Sequence, residues 1–307
     1  MTGIICAFTG ATLWGLSGVL ADFLMSGYNA SPLFITAARA LGAGLMFCLV
    51  LAVRYRDVVK AMFADAATVR QLLVFGAVGL FPCQAVYLVA IGLTNAGTAT
   101  VFQSLNIVVI ALYTAITSKK LLTHNQTLGV LCAFCSVFVI ATQGNPLVLS
   151  MSATSLLWCL FLAVVESVYV ICPEKLFIAY GSFAPTGIAM VISGVLSGLL
   201  WVGGAALDGS LAAQTAWPVL DGAGVAALAA VAVLGTFASF ALFLHGVSLV
   251  GPVTGSLLGA MEPVSAAVLS CLLLATPFTG WDWLGLVLMV ATFFLVTLAP
   301  KKRAERA

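Results

Sequence analysis

Ten stretches of about twenty mainly apolar residues follow one another with short connections between them, and this pattern constrains the fold more than any other feature. A bilayer core of roughly 30 Å is crossed by about 20 such residues in a helix. The runs cover 4–26, 32–53, 71–92, 96–118, 124–143, 153–173, 184–206, 222–247, 250–275 and 280–299. They are continuous rather than alternating, which excludes a strand-based barrel. Only 7% of the 307 residues are charged and 63% are hydrophobic, with a mean hydropathy of +1.19. An ordinary soluble domain carries about 25% charge, so a soluble globular enzyme is excluded. Collagen-like, disordered and disulfide-scaffold chains are excluded too. The chain reads as an all-α polytopic membrane protein with ten transmembrane helices. The first run lacks a basic n-region and a small-residue cleavage site, so it reads as a retained span rather than a signal peptide.

The placement of the charges tests this partition. Of twelve Lys and Arg residues, Arg54, Arg56, Lys60 and Arg70 fall between spans two and three, Lys119 and Lys120 between four and five, and Lys175 between six and seven. Lys301, Lys302, Arg303 and Arg306 form a basic tail. The connections after spans one, three, five, seven and nine carry none. The positive-inside rule then places both termini in the cytoplasm of a multi-pass inner or plasma membrane protein. A net charge of +2 is too small and dispersed for a nucleic-acid surface. All eight cysteines lie within the runs, where a free thiol behaves as a small apolar group, so no disulfide framework is expected. Cys132 and Cys135 have a metal-like spacing but no neighbouring His or Asp, and read as packing.

Residues 90–142 align without gaps onto 246–298, with Thr98/Thr254, Ala111/Ala267 and Gly129/Gly285 among the identities. Trp14 to Asp22 has a counterpart in Glu166 to Glu174. The repeats divide the chain at 1–147 and 148–307. Five spans per repeat is an odd number, so the second inserts upside down. Two inverted repeats point to a midplane binding site and alternating access.

The runs LWGLSG at 13–18, NAGTATVFQSL at 95–105, GSLLGAMEPVSAAVLS at 255–270 and TGWDWLGLVLM at 279–289 resemble the EamA-type branch of the drug/metabolite transporter superfamily. The resemblance covers the whole chain. It implies a ten-helix inner-membrane transporter of small metabolites, often an exporter, with a central cavity between two five-helix halves. Two positions depart from the family pattern. Ile107 stands where the fourth span usually has proline, and Glu166 where the sixth usually has a small apolar residue or Trp.

Polar groups within the spans are the candidate site, because a carboxylate at the bilayer centre costs about 2.5–3.5 kcal/mol on insertion scales and persists where it gains a partner. Glu166 shares a helical face with Trp158, Leu162 and Tyr169, which would set a carboxylate among aromatic rings suited to an ammonium group. A buried, hydrogen-bonded Glu166 is the alternative. Glu262 precedes Pro263, which frees a carbonyl near Gly259, and reads as a proton site or a packing device. Gln84 and Tyr87 lie one turn apart in span three, and Gln103 and Asn106 share a face of span four. Amides at these depths line a cavity or bridge helices. Trp14 is at mid-depth, as cavity wall or core. Arg39, about seven residues from the outer end of span two, binds a substrate carboxylate or pairs internally. His245 ends span eight, as an interfacial residue or a proton carrier.

No phosphate-binding glycine loop, zinc motif or Ser–His–Asp order is visible, so no cofactor, metal or catalytic residue is expected. The chain reads as a secondary transporter of a small polar or zwitterionic metabolite, an amino acid or related amine, with export as the family direction. Its partners are the small-molecule substrate and the lipid bilayer, with a proton as candidate coupling ion and a monomer or homodimer as the assembly. Uptake of a choline-like quaternary amine is the nearest alternative. A membrane-embedded enzyme and a non-transporting accessory protein are the alternatives of another class.

Overall fold

The computed structural model describes residues 1–119, 121–207 and 217–298. Lys120, residue 299 at the end of the tenth run and the basic tail of Lys301, Lys302, Arg303 and Arg306 lie outside them. Ten helices are long and apolar enough to cross a membrane: α1 Thr2–Tyr28, α2 Pro32–Arg54, α3 Ala66–Leu93, α4 Ala96–Thr117, α5 His124–Thr142, α6 Ala153–Tyr180, α7 Phe183–Gly204, α8 Gly222–Val250, α9 Pro252–Leu274 and α10 Gly280–Thr297. The order and number match the sequence pattern. Helix starts are fixed by side chains that take up orphan amides. Ser31 accepts from Phe34 N–H at 3.2 Å and Asn95 from Thr98 N–H at 2.8 Å. Thr123 with Gln126, and Thr279 with Asp282, form reciprocal capping boxes at equivalent points of the two halves.

Among the described residues, one helix is too short to cross. Arg56–Ala64 connects α2 to α3, in a stretch that its four basic residues alone made look like a loop.

The halves meet in antiparallel pairs of equivalent spans. On α2 and α7, Gly44 faces Val191 while Gly194 faces Leu41. On α5 and α10, Ser136 Oγ donates to the Gly285 carbonyl at 2.6 Å, and Thr292 Oγ1 donates to the Gly129 carbonyl at 3.2 Å. Ser136 aligns with Thr292 and Gly129 with Gly285, each 156 positions apart, so one bond is the repeat image of the other. Reciprocal contacts of this kind are what a two-fold relation produces. Because the exchanged helices run antiparallel, the axis lies across them, as inverted repeats require.

Two spans in each half are interrupted, again at equivalent places. α3 contains a π-helical segment at Phe75–Leu80 and α8 another at Val233–Ala238. α4 breaks after Gln103 and resumes at Asn106, and α9 breaks at Ala260. π-segments inside α-helices are frequent at functional sites, since they re-aim side chains. All four interruptions lie around the centre of the bundle.

Candidate functional site

The interrupted spans surround two connected cavities. The inner one is a chamber of about 80 Å³ lined from both halves, by Trp14, Ser17, Arg39, Cys83, Gln84, Tyr87 and Gln103 from the first and Glu166, Tyr169, Thr236, Phe240 and Glu262 from the second. The outer one is a vestibule of about 560 Å³ that includes Asn106, Ile107, Ile110, Phe177, Ser182, Phe243, Ser248 and Ser256. Trp14, Gln103, Glu166, Tyr169 and Glu262 line both, so the two carboxylates stand where chamber and vestibule meet. The combined space falls in the range of about 300–1,000 Å³ usual for small-molecule sites.

Local structure explains each position. In α3 the π-segment and Pro82 turn Cys83, Gln84 and Tyr87 toward the centre. In α8 the π-segment presents Gly235 and Thr236, and Thr236 Oγ1 donates to the Val231 carbonyl at 2.8 Å, five residues back. In α9, Pro263 lacks the N–H that would bond Gly259, so the helix breaks just before Glu262. In α4 no proline is present. Thr100 Oγ1 and Ser104 Oγ donate to carbonyls four residues back, at 2.5 and 2.9 Å, and Leu105 N–H bonds Phe102 at 3.1 Å instead of Val101. Such back-bonding bends helices.

The polar contacts form four separate groups. Arg39 Nε donates to Gln84 Oε1 at 3.0 Å and Gln84 Nε2 reaches Met190 Sδ at 3.2 Å. The Cys83 thiol donates to Glu166 Oε2 at 2.8 Å. Gln103 Nε2 donates to Glu262 Oε1 at 3.5 Å. Tyr87 Oη pairs with Thr100 Oγ1 at 3.1 Å. Trp14 packs on Phe240 and Phe243, at centroid distances of 4.9 and 4.5 Å. Neither carboxylate forms a salt bridge with Arg39 among the described residues, where the ion pair within 4.0 Å is Lys60–Asp57. Three buried polar atoms facing these cavities, Trp14 Nε1, Ser17 Oγ and Gln103 Oε1, have no hydrogen-bond partner among the described residues. Buried polar groups are nearly always bonded, which sets these three apart from the bonded side chains around them.

The vestibule runs toward the connections α6–α7 and α8–α9, the end of the bundle that carries Lys175. At the opposite end the described residues close together. Tyr28 Oη donates to Asp221 Oδ1 at 2.6 Å, tying α1 to the start of α8. Ala96 N–H donates to Asp22 Oδ2 at 3.2 Å, tying α4 to α1. Phe34, Trp201 and Trp217 stack beside them, with Trp201 and Trp217 at 4.5 Å.

Of the residues singled out from sequence, Trp14, Gln84, Tyr87, Gln103, Glu166, Tyr169, Arg39 and Glu262 come together in the chamber and Asn106 joins in the vestibule. Trp158 does not. It is 36% exposed and packs edge-on against Phe161, on the outside of α6. The spacing of eight residues to Glu166 accumulates an angular drift of about 80° on a 3.6-residue helix, enough to turn the ring out of the cavity. His245 is also exposed on α8 and lines neither cavity. Ser17, Cys83, Thr236, Phe240 and Phe243 also line these cavities and are not marked in the sequence. Their residue types are ordinary in a membrane helix, and the available signal was the one-turn spacing of Phe240 and Phe243 opposite a mid-depth Trp14.

Comparisons with known proteins agree with this architecture. An uncharacterized inner membrane transporter of Salmonella typhimurium, YicL, is 31% identical over 305 residues, covering 99% of this chain and 98% of that one. A solved crystal structure superposes with a TM-score of 0.66 at 20% identity, covering 100% of this chain and 99% of the other, which speaks for the fold. The EamA-like transporter family matches twice, over residues 1–142 and 153–298, one match for each five-helix half. The chain therefore belongs to the EamA-like transporter family.

Proposed function

We propose that this membrane transporter is a secondary transporter of a small polar or zwitterionic metabolite, an amino acid or related amine, exporting it by alternating access. The two halves, 1–147 and 148–307, rock about the midplane chamber. The observation that carries the reading is the pair of carboxylates, Glu166 and Glu262, at the junction of chamber and vestibule with Trp14 and Tyr169 beside them. A carboxylate flanked by aromatic rings attracts an ammonium group by charge and by cation–π interaction. Glu166 engages the positive group or a coupling proton. Trp14, Tyr87 and Tyr169 form the aromatic wall, and Gln84, Gln103 and Asn106 supply neutral hydrogen bonds. Arg39, held by Gln84, is the counter-charge that a substrate carboxylate would approach. Both termini lie in the cytoplasm, so the open vestibule faces inward and the Tyr28–Asp221 end is the closed outer gate.

The test is a thermal-shift and flux panel on purified protein in proteoliposomes, covering amino acids, primary amines, choline-like amines and carboxylates. Amine-bearing compounds raise the melting temperature and are carried, and Glu166→Ala abolishes both effects. Flux that survives Glu166→Ala unchanged in affinity, rate and pH dependence overturns the assignment. A response confined to quaternary amines would favour the choline-like cargo over the amino acid.

A further inference from the structure

The α2–α3 connection holds a further cavity, of about 670 Å³, that shares no lining residue with the chamber or vestibule. It lies between the Arg56–Ala64 helix, α2, α3 and α7. The short helix is amphipathic. Met62 is fully buried and Val58 and Val59 are partly so, while Arg56, Asp57 and Lys60 face outward. Leu51, Leu72, Ile188 and Ile192 make the inner wall hydrocarbon, and Phe63 and Leu73, 56% and 52% exposed, edge the opening.

Of the thirteen lining residues two are charged, Arg56 and Lys60, and both are cations. Among the described residues, Arg56 has no acidic partner and Lys60 has only a distant, exposed one. Arg56 Nε donates to the Ala52 carbonyl at 2.6 Å, which anchors the guanidinium and leaves its Nη groups without a hydrogen bond among the described residues. Lys60 is 4.0 Å from Asp57, with the two side chains 79% and 100% exposed, and an exposed pair of that kind contributes little. The other acid of this connection, Asp65, is committed to capping the next helix through Ala67 and Thr68 N–H, at 3.2 and 3.0 Å. Arg54 and Arg70 add to the positive character of the same stretch.

We infer that this groove is a binding site for an anionic phospholipid, with an acyl chain against the hydrocarbon wall and the headgroup phosphate on Arg56 and Lys60. A groove open to the bilayer is filled by lipid chains, and the cationic mouth selects among them by charge. Arg suits a phosphate because its planar fork donates two parallel hydrogen bonds. The site is independent of which substrate the transporter carries.

The test uses the purified full-length chain in phosphatidylcholine nanodiscs with increasing phosphatidylglycerol. The melting temperature and the phosphatidylglycerol retained after transfer to detergent are measured. Phosphatidylglycerol raises the melting temperature, as any ligand of the folded state does, and remains bound at one lipid per chain. Arg56→Gln with Lys60→Gln lowers retention at least tenfold and removes the shift. Ala52→Phe, which fills the groove and keeps both cations, does the same. Lys175→Gln, a cation elsewhere on the same end of the bundle, changes nothing. A shift that persists in the double variant or in Ala52→Phe, or one lost equally in Lys175→Gln, overturns the proposal in favour of bulk lipid charge.

Discussion

The first half of the chain breaks its fourth span with Thr100 and Ser104, and the second breaks the equivalent span, α9, with Pro263. Position 107, 156 residues before Pro263, is Ile, yet α4 is interrupted there all the same. The π-segments, capping boxes and α5–α10 bonds recur in the same way. The chemistry does not recur. Glu262 is the counterpart of Asn106 and Glu166 of Trp14, so both carboxylates come from the second half and Arg39 and the chamber amides from the first. Backbone geometry thus recurs in the two halves by more than one chemical route. Side-chain chemistry differs, with the chamber's carboxylates in one half and its arginine in the other.

Proline placement tests the equivalence of the breaks most severely. Ile107→Pro sacrifices one long hydrogen bond, from Ile107 N–H to Ser104 at 3.3 Å, and should leave the melting temperature nearly unchanged. Ala111→Pro, inside the continuous Asn106–Thr117 segment, should cost about 3 kcal/mol or more. Equal losses would show that α4 does not tolerate proline as α9 does.

The split in charge is tested by Glu166→Gln, which keeps shape and removes the anion. Loss of a buried charged contact to an amine cargo costs about 2–3 kcal/mol, or ~30–150-fold in flux efficiency. Asn106→Asp, placing a carboxylate at the counterpart of Glu262, should not rescue it. A rescued rate in liposomes would mean that the halves are chemically interchangeable.

At the α5–α10 crossing the halves should respond alike. A methyl at Gly129 would come within 2.6 Å of Val296 Cγ2, and one at Gly285 would press on Ile140. Gly129→Ala and Gly285→Ala should each destabilise by about 1–3 kcal/mol, and Ser136→Ala and Thr292→Ala by about 0.6 kcal/mol each. Unequal effects within either pair, read by thermal unfolding, would break the two-fold relation there.

The smallest effect is expected at the closed end. Tyr28→Phe removes the bond to Asp221 and should increase labelling of Cys83 by an impermeant thiol reagent applied from that side. The Tyr28 hydroxyl and Gly224 N–H hold the Asp221 carboxyl below the usual aspartate range. A depressed carboxylate contributes above its folded-state value and loses its contribution as pH falls through it. The latch should therefore persist through neutral and mildly acidic pH and weaken only in strong acid. Labelling that rises already near pH 6 would place the gate elsewhere.

The ten spans were legible because each must bury its backbone within itself, which demands an uninterrupted apolar run. The ends were less so. α3 starts at Ala66 and α6 continues to Tyr180, past Arg70 and past Glu174 and Lys175, since charged residues stay helical once they reach the interface. The candidate site was legible where a residue is costly in lipid, as with Arg39, Glu166, Glu262 and the amides. It was illegible for Cys83, Thr236 and Phe240, whose presence in an apolar helix costs little and signals nothing.

The amino-acid sequence alone set the number of spans and their order, because hydropathy is local and additive along the chain. The tertiary structure alone decided that Trp158 faces outward and that Trp14, from the other half, takes a place beside Glu166. It also decided that the vestibule runs from the chamber toward the α6–α7 and α8–α9 connections, and that an apolar groove edged by Arg56 and Lys60 forms beside the Arg56–Ala64 helix. Those features depend on how interrupted helices rotate and cross, which arises from contacts between residues far apart in the chain.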